Sequence, residues 1–216
     1  MKRTGIFGGS FDPVHAGHVS IARAAADAAA LDEVLFVPAA VSPFKTSSAP
    51  RASGHDRLVM AALACEEDPR FRACAAELER GGVSRAIDTV RAIRAARPSD
   101  SLYFILGADA AAGLGMWFEA AELFKLVTFL VFERPGAVVP PPPTGAQTEI
   151  FRGDPVDVSS TEIRRRAAAG ESLAGLVPRK VAEYISAHSL YAPQAPRCGL
   201  RTVRREGSAE KGSSGQ

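Results

Sequence analysis

The sequence predicts an α/β protein with a Rossmann-like, doubly wound parallel sheet of about five strands and a small C-terminal helical part. Short apolar runs at 33–38 and 102–106 are typical of strands that are buried on both faces of a parallel sheet. Segments of helical length, rich in alanine or marked by an apolar stripe, lie between such runs. The opening run leads through two glycines into a helix and a second strand, which is the order of a βαβ unit.

The first half of the chain predicts strands that alternate with helices. The predicted elements are a strand at 4–7, a helix at 17–31, a strand at 33–38, a loop at 39–55, a helix at 55–67 and a strand at 71–75. Alanine dominates the first helix and is the strongest helix former, whereas Pro38 ends the second strand. Prolines and a glycine interrupt the apolar pattern of the loop, so we expect it to be mobile.

The second half predicts the remaining strands and the C-terminal helices. The predicted elements are a helix capped by Ser84 and ending at Ala96, strands at 102–106 and 126–132, a surface connection at 137–148, a strand at 156–158, and helices at 163–169 and 178–188. Four consecutive prolines, 140–143, favour polyproline II over a sheet strand. Ser159 and Glu162 have the spacing of a capping box ahead of the first C-terminal helix.

Length and charge predict one domain over residues 1–193, followed by a disordered basic tail over 194–216. The whole chain carries a formal charge of +2, but its tail holds five Lys or Arg against two Glu and is therefore +3. The body is then −1, which does not favour a nucleic-acid surface. We expect neither nucleic acid nor a membrane as a partner.

Cysteine usage and hydropathy indicate the compartment. The 3 cysteines form no C-x-x-C pair, which argues against a disulfide framework and against a structural zinc site, so we expect free thiols. No apolar run approaches the ~20 residues that a membrane-spanning helix needs, and no secretory h-region opens the chain. These features predict a cytoplasmic protein.

The N-terminal stretch predicts a phosphate site. Gly8 and Gly9 remove Cβ atoms that would keep backbone N–H groups from an anion, and the following helix start is electropositive. His15 and His18 are three residues apart, so they can share one face and donate to the same phosphate. The chain has neither the G-x-G-x-x-G fingerprint nor a P-loop, so the sequence supports neither a dehydrogenase nor a P-loop enzyme. A helix cap or a packed ring remains the alternative for either histidine.

Four further positions are candidate site residues, and the first three of them also have a purely structural interpretation. Asp109 follows the strand at 102–106 and either meets a substrate hydroxyl or caps the next helix. Trp117 either packs in the core or stacks on a cationic ring. Ser159 caps a helix whose exposed N–H groups can also bind phosphate, and Arg164 places a cation in its first turns, where an anion nearby would stabilise it.

Two motifs carry a resemblance to a known family. Residues 8–18 read Gly-Gly-Ser-Phe-Asp-Pro-Val-His-Ala-Gly-His and resemble the G-G-[ST]-F-D-P-x-H-x-G-H signature of nucleotidyltransferases, specifically of nicotinate mononucleotide adenylyltransferases. Residues 158–164 resemble the I-S-x-T-x-I-R element of that family, which faces ATP. Three shorter segments also resemble motifs of the family. Ser42-Pro43-Phe44-Lys45 is similar to its P-x-H-K loop, Gly107-Ala108-Asp109 to its G-x-D element, and Arg134-Pro135-Gly136 to its R-P-G element. Phe44 stands where the family has histidine, and Arg85-Ala86 where it tends to have Tyr-Thr.

The resemblance implies an activity and a set of site residues. ATP and nicotinate mononucleotide would give nicotinate adenine dinucleotide and pyrophosphate, a step of NAD biosynthesis, with Mg²⁺ carried on the ATP. The implied catalytic residues are His15, His18, Lys45 and Arg164. The implied ATP-binding residues are Gly8, Gly9, Ser10, Phe11, Ser159 and Thr161. The implied mononucleotide-binding residues are Asp109, Trp117 and Arg134.

Two alternatives stay open at this point. Phosphopantetheine adenylyltransferases, cytidylyltransferases and other nucleotidyltransferases share the His-x-Gly-His pattern. Trp117 and the 159–164 element favour the nicotinate family among them. A nucleotide-binding module without turnover is the alternative of a different class, and Phe44, Arg85 and Ala86 keep it open.

Overall fold

A computed structural model describes residues 1–42, 49–133, 139–154 and 156–193. Its centre is a six-stranded sheet in which every strand pair is parallel, with the order β3-β2-β1-β4-β5-β6. The strands are β1 (Arg3–Gly9), β2 (Glu33–Pro38), β3 (Phe71–Ala73), β4 (Ser101–Gly107), β5 (Thr128–Phe132) and β6 (Gln147–Phe151). This order is that of a doubly wound dinucleotide-type sheet, so the predicted fold class is confirmed.

Helices cover both faces of the sheet. They are α1 (Ala16–Ala28), α2 (Gly54–Cys65), α3 (Ala76–Arg80), α4 (Ala86–Ala96), α5 (Ala108–Ala111), α6 (Ala120–Leu126), α7 (Ser160–Ala168) and α8 (Arg179–Ala187), with a 3₁₀ turn at Leu114–Met116. Neighbouring strand residues such as Ile6 and Phe7 belong to two different buried clusters. Because successive side chains point to opposite faces of a strand, each face of the sheet has its own core.

The C-terminal helices pack on the face that also holds α1 and α2. Ile163 of α7 and both Val181 and Ile185 of α8 are buried in that core, as the apolar spacing of α8 predicted. Among the described residues, no helix is both long and apolar enough to cross a membrane.

Several element boundaries differ from the sequence prediction. Gly8 and Gly9 are not a turn after β1 but its last two residues, because they pair with Val37 and Pro38 of β2. The predicted strand at 156–158 is wrong. The last strand is β6 instead, which extends the sheet beside β5 although it lies partly within the predicted connection at 137–148.

Ser84 is not the N-cap of α4. Arg85 takes the N-cap position, and the buried Ser84 hydroxyl instead accepts a hydrogen bond of 2.8 Å from the backbone N–H of Ala40. The side chain therefore ties the segment before α4 to the segment after β2.

The chain order creates a topological switch point between β1 and β4. From β1 the chain moves outward to β2 and β3, and it then returns to the other side of β1 through β4. The carboxyl ends of β1 and β4 are thus adjacent while their connections run in opposite directions, which is where open α/β sheets bind ligands.

Candidate active site

A cleft of about 550 Å³ opens at the switch point between β1 and β4. The carboxyl end of β1 with Ser10 and the carboxyl end of β4 form one part of its lining, and the start of α4 and residues 116–118 form another. The side chains around it are mostly apolar. Such a cleft suits a flat organic ring at one end and a charged group at the glycine-lined end.

The glycines in the cleft differ in what surrounds them. A Cβ atom at Gly107 would have no heavy atom within 4 Å, and one at Gly8 would meet only Phe104 Cζ at 3.8 Å. A Cβ atom at Gly9 would lie 3.0 Å from the ring of Phe11. A side chain at Gly9 would therefore crowd the ring of Phe11, whereas Gly8 and Gly107 leave open space in the cleft.

The turn after β1 is shaped by the side chain of Phe11. This residue has a φ of 46°, in the left-handed region that few residues other than glycine adopt. Its ring is 1% exposed and makes aromatic contacts with Phe7, Phe36 and His18. Burial of a large ring offsets the backbone strain, typically about 1 to 3 kcal/mol, and fixes the path of the turn.

His15 and His18 meet at the start of α1, as their spacing predicted. His15 is the N-cap residue, and the two imidazole rings stack with centroids 3.6 Å apart. The backbone N–H of His15 donates to Nδ1 of His18 over 3.2 Å. Because Nδ1 accepts that bond, a neutral His18 carries its proton on Nε2, the form that donates to a phosphate oxygen.

The carboxylate of Asp12 connects the turn to distant segments. Its Oδ2 accepts from the N–H of Arg51 (2.8 Å), and its Oδ1 accepts from the N–H of Ala52 (3.1 Å) and from the hydroxyl of Tyr191 (2.8 Å). Asp12 is 5% exposed, so its charge is largely desolvated and these donors stabilise it. Burial, and then the negative charge of Asp12, raise the pKa of Tyr191, which keeps its hydroxyl a donor at neutral pH.

A buried arginine binds the backbone at the beginning of the turn after β1. Arg57 of α2 is 3% exposed, and its Nη1 donates to the backbone carbonyl of Ser10 over 2.8 Å. Burial lowers the pKa of Arg57, and the nearby Asp12 carboxylate opposes that shift. An arginine stays charged at neutral pH even so. This cation therefore contacts the segment that we expect to face a phosphate.

The N-terminal turn of α7 packs against the same turn. Arg164 Nη1 donates to the carbonyl of Asp12 over 2.6 Å and lies 3.8 Å from Oδ2 of Asp12, while Nη2 donates to the hydroxyl of Thr161 over 3.1 Å. Ser160 also donates to the carbonyl of Pro13 over 2.9 Å. The two motifs that lie about 150 residues apart in the sequence are thus joined by direct hydrogen bonds.

Only half of the predicted capping box forms at α7. Ser159 accepts from the N–H of Glu162 over 3.2 Å, which confirms its capping role. The Glu162 carboxylate binds Arg165 and Arg166 instead of turning back to the cap. These hydrogen bonds, first that of Arg165, lower the pKa of Glu162 to about 2. Arg165 and Arg166 are therefore paired, and Arg164 is the arginine directed at the motif.

Of the two described residues that were predicted to bind the mononucleotide, Trp117 lines the cleft and Asp109 does not. Trp117 lines the cleft and packs edge-on against Phe104, with ring centroids 5.7 Å apart. Asp109 is exposed on α5, between Gly107 and Ala110, which both line the cleft. Lys45 and Arg134 lie outside the described residues, as does Phe44.

Two charged residues of the cleft were not predicted as site residues. Arg85 lines the cleft, and its guanidinium lies over the ring of Phe118 at 4.0 Å from the centroid. Glu77 of α3 lines it as well and is 6% exposed. The departure of Arg85 from the motif was visible in the sequence, but its place in the cleft was not.

Comparisons with known proteins identify the family to which the chain belongs. Residues 6–166 match the cytidylyltransferase-like family. A probable nicotinate-nucleotide adenylyltransferase of Thermus thermophilus is 43% identical over 189 residues, which cover 88% of this chain and 99% of that protein. One from Shouchella clausii is 41% identical over 191 residues, which cover 88% and 97%.

Solved structures show the same fold. A Plasmodium falciparum nicotinic acid mononucleotide adenylyltransferase complexed with NaAD superposes with a TM-score of 0.68 at 18% identity, over 88% of this chain and 98% of that chain. The same enzyme complexed with APC gives a TM-score of 0.70 at 17% identity, with the same coverage. Given the identity to the curated bacterial proteins over nearly their whole length, the chain belongs to the nicotinate-nucleotide adenylyltransferase family of cytidylyltransferase-like proteins.

Proposed function

We propose that this protein transfers AMP from ATP to nicotinate mononucleotide, releasing pyrophosphate and nicotinate adenine dinucleotide in NAD biosynthesis. One observation carries the proposal. A single cleft at the switch point joins the carboxyl end of β1, where the lining residue Phe7 contacts the ring of His18, to a wall that contains Trp117. That is the arrangement needed to hold a triphosphate beside a mononucleotide that carries an aromatic ring.

The reaction needs no nucleophile from the protein. An oxygen of the mononucleotide phosphate attacks the α-phosphorus of ATP and forms the new P–O bond. The bond from the α-phosphorus to the oxygen that bridges to the β-phosphate breaks, and pyrophosphate leaves with that electron pair. Because the attacking oxygen is already ionised at pH 7, the protein contributes positioning and charge stabilisation.

His15, His18, Lys45 and Arg164 are the proposed donors and cations for the departing pyrophosphate. The bond from the His15 N–H to Nδ1 of His18 supports this role, since it keeps the Nε2 proton on a neutral imidazole. Arg164 contacts the turn through the carbonyl of Asp12, and this bond together with its bond to Thr161 of α7 would fix its guanidinium beside a bound phosphate.

The remaining ATP contacts are proposed for two elements. Backbone groups of Gly8, Gly9 and Ser10 would face the phosphates, with Phe11 buried beneath them as a support. Ser159 and Thr161 would act at the start of α7, where exposed N–H groups and the helix dipole favour an anion.

We assign the mononucleotide to the far part of the cleft. Trp117 would stack on the pyridine ring, Asp109 would accept from the ribose hydroxyls, and Arg134 would bind the mononucleotide phosphate. The T-shaped contact of Trp117 with Phe104 supports a stacking role, because it helps to hold the plane of the indole within the cleft. Residues 1–193 would form the whole catalytic domain.

Mg²⁺ would arrive with the ATP, held mainly by phosphate oxygens and water. Within the described ranges, no group of three or more His, Cys, Asp or Glu side chains is arranged to bind a metal. Asp12 is the carboxylate of the turn itself, and three protein donors already occupy its two oxygens. The donor set around the turn thus fits phosphate oxygens, and the metal would neutralise their charge.

Pyrophosphate release tests the proposal. The purified chain is mixed with Mg²⁺-ATP and, in turn, nicotinate mononucleotide, nicotinamide mononucleotide and 4′-phosphopantetheine. We expect rapid release with nicotinate mononucleotide and formation of the dinucleotide. Release with 4′-phosphopantetheine alone, or binding of ATP without release in any mixture, would contradict the proposal.

A further inference from the structure

The mostly apolar cleft contains one cationic side chain among its described lining residues, that of Arg85. Of the described residues that line it, only Glu77 and Arg85 carry a formal charge. The Glu77 carboxylate is nearly buried and accepts a hydrogen bond of 2.6 Å from the hydroxyl of Thr89. Arg85 is exposed and takes part in none of the salt bridges found within the described ranges. Its charge therefore faces the cleft, and no described carboxylate lies within salt-bridge distance of it.

The contact with Phe118 orients this guanidinium. Its central carbon lies over the Phe118 ring at 4.0 Å from the centroid, so one face of the planar group is covered. The N–H donors of a guanidinium lie in its plane, and stacking leaves them directed to the sides. An arginine held in this way is suited to a planar, bidentate acceptor such as a carboxylate.

The surroundings of Arg85 favour a bound aromatic ring that carries a negatively charged substituent. Arg85 is the N-cap residue of α4, an 11-residue helix whose positive end faces the same cleft. Phe118 directly follows Trp117, the residue proposed to stack on the pyridine ring. A substituent on a ring at Trp117 would therefore lie close to the Arg85–Phe118 pair.

We propose that Arg85 is a specificity-determining residue that binds the carboxylate of the nicotinate ring and discriminates against the carboxamide. The inference rests on the proposed function and names how the same site selects its substrate. A carboxylate offers two acceptor oxygens to the guanidinium. A carboxamide offers one oxygen and an NH₂ group, which would oppose the donors of Arg85.

The test compares two substrates and four proteins. The kcat and KM for nicotinate and nicotinamide mononucleotide are measured at saturating ATP for the wild type, Arg85→Ala, Arg85→Lys and Arg179→Ala. Arg179 is the matched control, because it is an exposed arginine on α8 that pairs with Glu183 away from the cleft. Calorimetric melting of each variant checks that folding is unchanged, as expected for an exposed side chain.

We expect Arg85→Ala to lower kcat/KM for nicotinate mononucleotide by about tenfold to hundredfold, mainly through KM, the usual range for a hydrogen bond to a charged group. The value for the nicotinamide substrate should stay constant or rise, and Arg85→Lys should recover part of the loss. An equal loss with both substrates would place Arg85 on a group that they share, such as the phosphate, and would overturn the inference. Unchanged kinetics would overturn it too.

Isothermal titration separates this inference from the proposed function. The wild type and Arg85→Ala are titrated with each mononucleotide without turnover. If the wild type binds nicotinate mononucleotide but releases no pyrophosphate, the proposed function fails, while weaker binding of that ligand alone by Arg85→Ala still supports the inference. Equal binding of both ligands by both proteins overturns the inference even if the enzyme is active.

Discussion

Gly107→Ala provides a sharp test of the cleft because the structure separates its effects on folding and on binding. A Cβ atom at this position has no protein heavy atom within 4 Å, and the residue ends a buried strand. The backbone of Gly107 does not have a positive φ. We therefore expect the free energy of unfolding to stay constant or to rise by up to about 1 kcal/mol, since alanine restricts the unfolded chain.

The same methyl group should weaken substrate binding. Gly107 lines the same cleft as Trp117 and Phe104, where the proposed pyridine ring would lie. One added methyl group in a fitted pocket typically changes binding by about 1 to 3 kcal/mol, which is about tenfold to hundredfold. The KM for nicotinate mononucleotide should rise by that factor. The assay is pyrophosphate release at varied mononucleotide concentration, together with calorimetric melting of the same preparation.

Gly5→Ala is the matched control in the neighbouring strand. Its Cβ atom would lie 2.7 Å from Leu31 Cδ1 and 3.1 Å from Ile105 Cδ1, and Gly5 does not line the cleft. Overpacking of this kind costs about 1 to 3 kcal/mol. The control should lower Tm by several degrees and leave KM unchanged. If Gly107→Ala instead lowered Tm with a normal KM, the argument that its open space belongs to a ligand would be refuted.

Two further predictions concern the turn and its contacts, and a third concerns the ion pair of Asp68 with Arg70 ahead of β3. His18→Ala should lower kcat about a hundredfold through the loss of one donor to the departing pyrophosphate, and near-normal turnover in the same assay would rule out that role. Tyr191→Phe should lower the free energy of unfolding in urea by about 1.5 kcal/mol, because the Asp12 carboxylate loses a donor; an unchanged midpoint would show that this bond contributes nothing. Hydrogen bonding from Arg70 lowers the pKa of Asp68 from 3.8 to about 2, so this group stabilises the fold above pH ~4 and loses that effect as the pH falls towards 2. Asp68→Asn should therefore be less stable than the wild type at pH 7, and a stability difference that did not shrink between pH 4 and pH 2 would contradict the assignment.

The sheet could be predicted from the sequence wherever its strands are buried on both faces. The bounds of β2 match the prediction, and β4 differs from it by one residue at each end, because continuous apolar runs mark such strands. β6 was missed for the opposite reason. It is an edge strand whose residues are mostly exposed, with only Phe151 buried, so it lacks an apolar run. Its place in the sheet depends on backbone bonds to β5, which side-chain patterns do not record.

The same distinction applies to the site. His15 and His18 could be predicted as a pair because their contact depends on three residues of local sequence. The partners of Asp12 could not, since they come from the segment before α2 and from Tyr191 near the end of the described chain. A buried carboxylate is stabilised by whichever donors the fold brings to it, and no spacing rule identifies donors that are 39 or 179 residues away.

The glycines give the clearest case of what structure adds to sequence. Gly8 and Gly9 are adjacent and belong to the same motif, yet a Cβ atom at Gly9 would crowd the ring of Phe11, whereas one at Gly8 would meet only Phe104 at 3.8 Å. Tight packing favours Gly9 even in a protein without a ligand, while the described residues around Gly8 and Gly107 leave room for a side chain. This room lies at the ends of two adjacent strands, so we expect a ligand of the cleft to extend across both. A nucleotide that lies across the switch point has that span, and the argument does not depend on any motif.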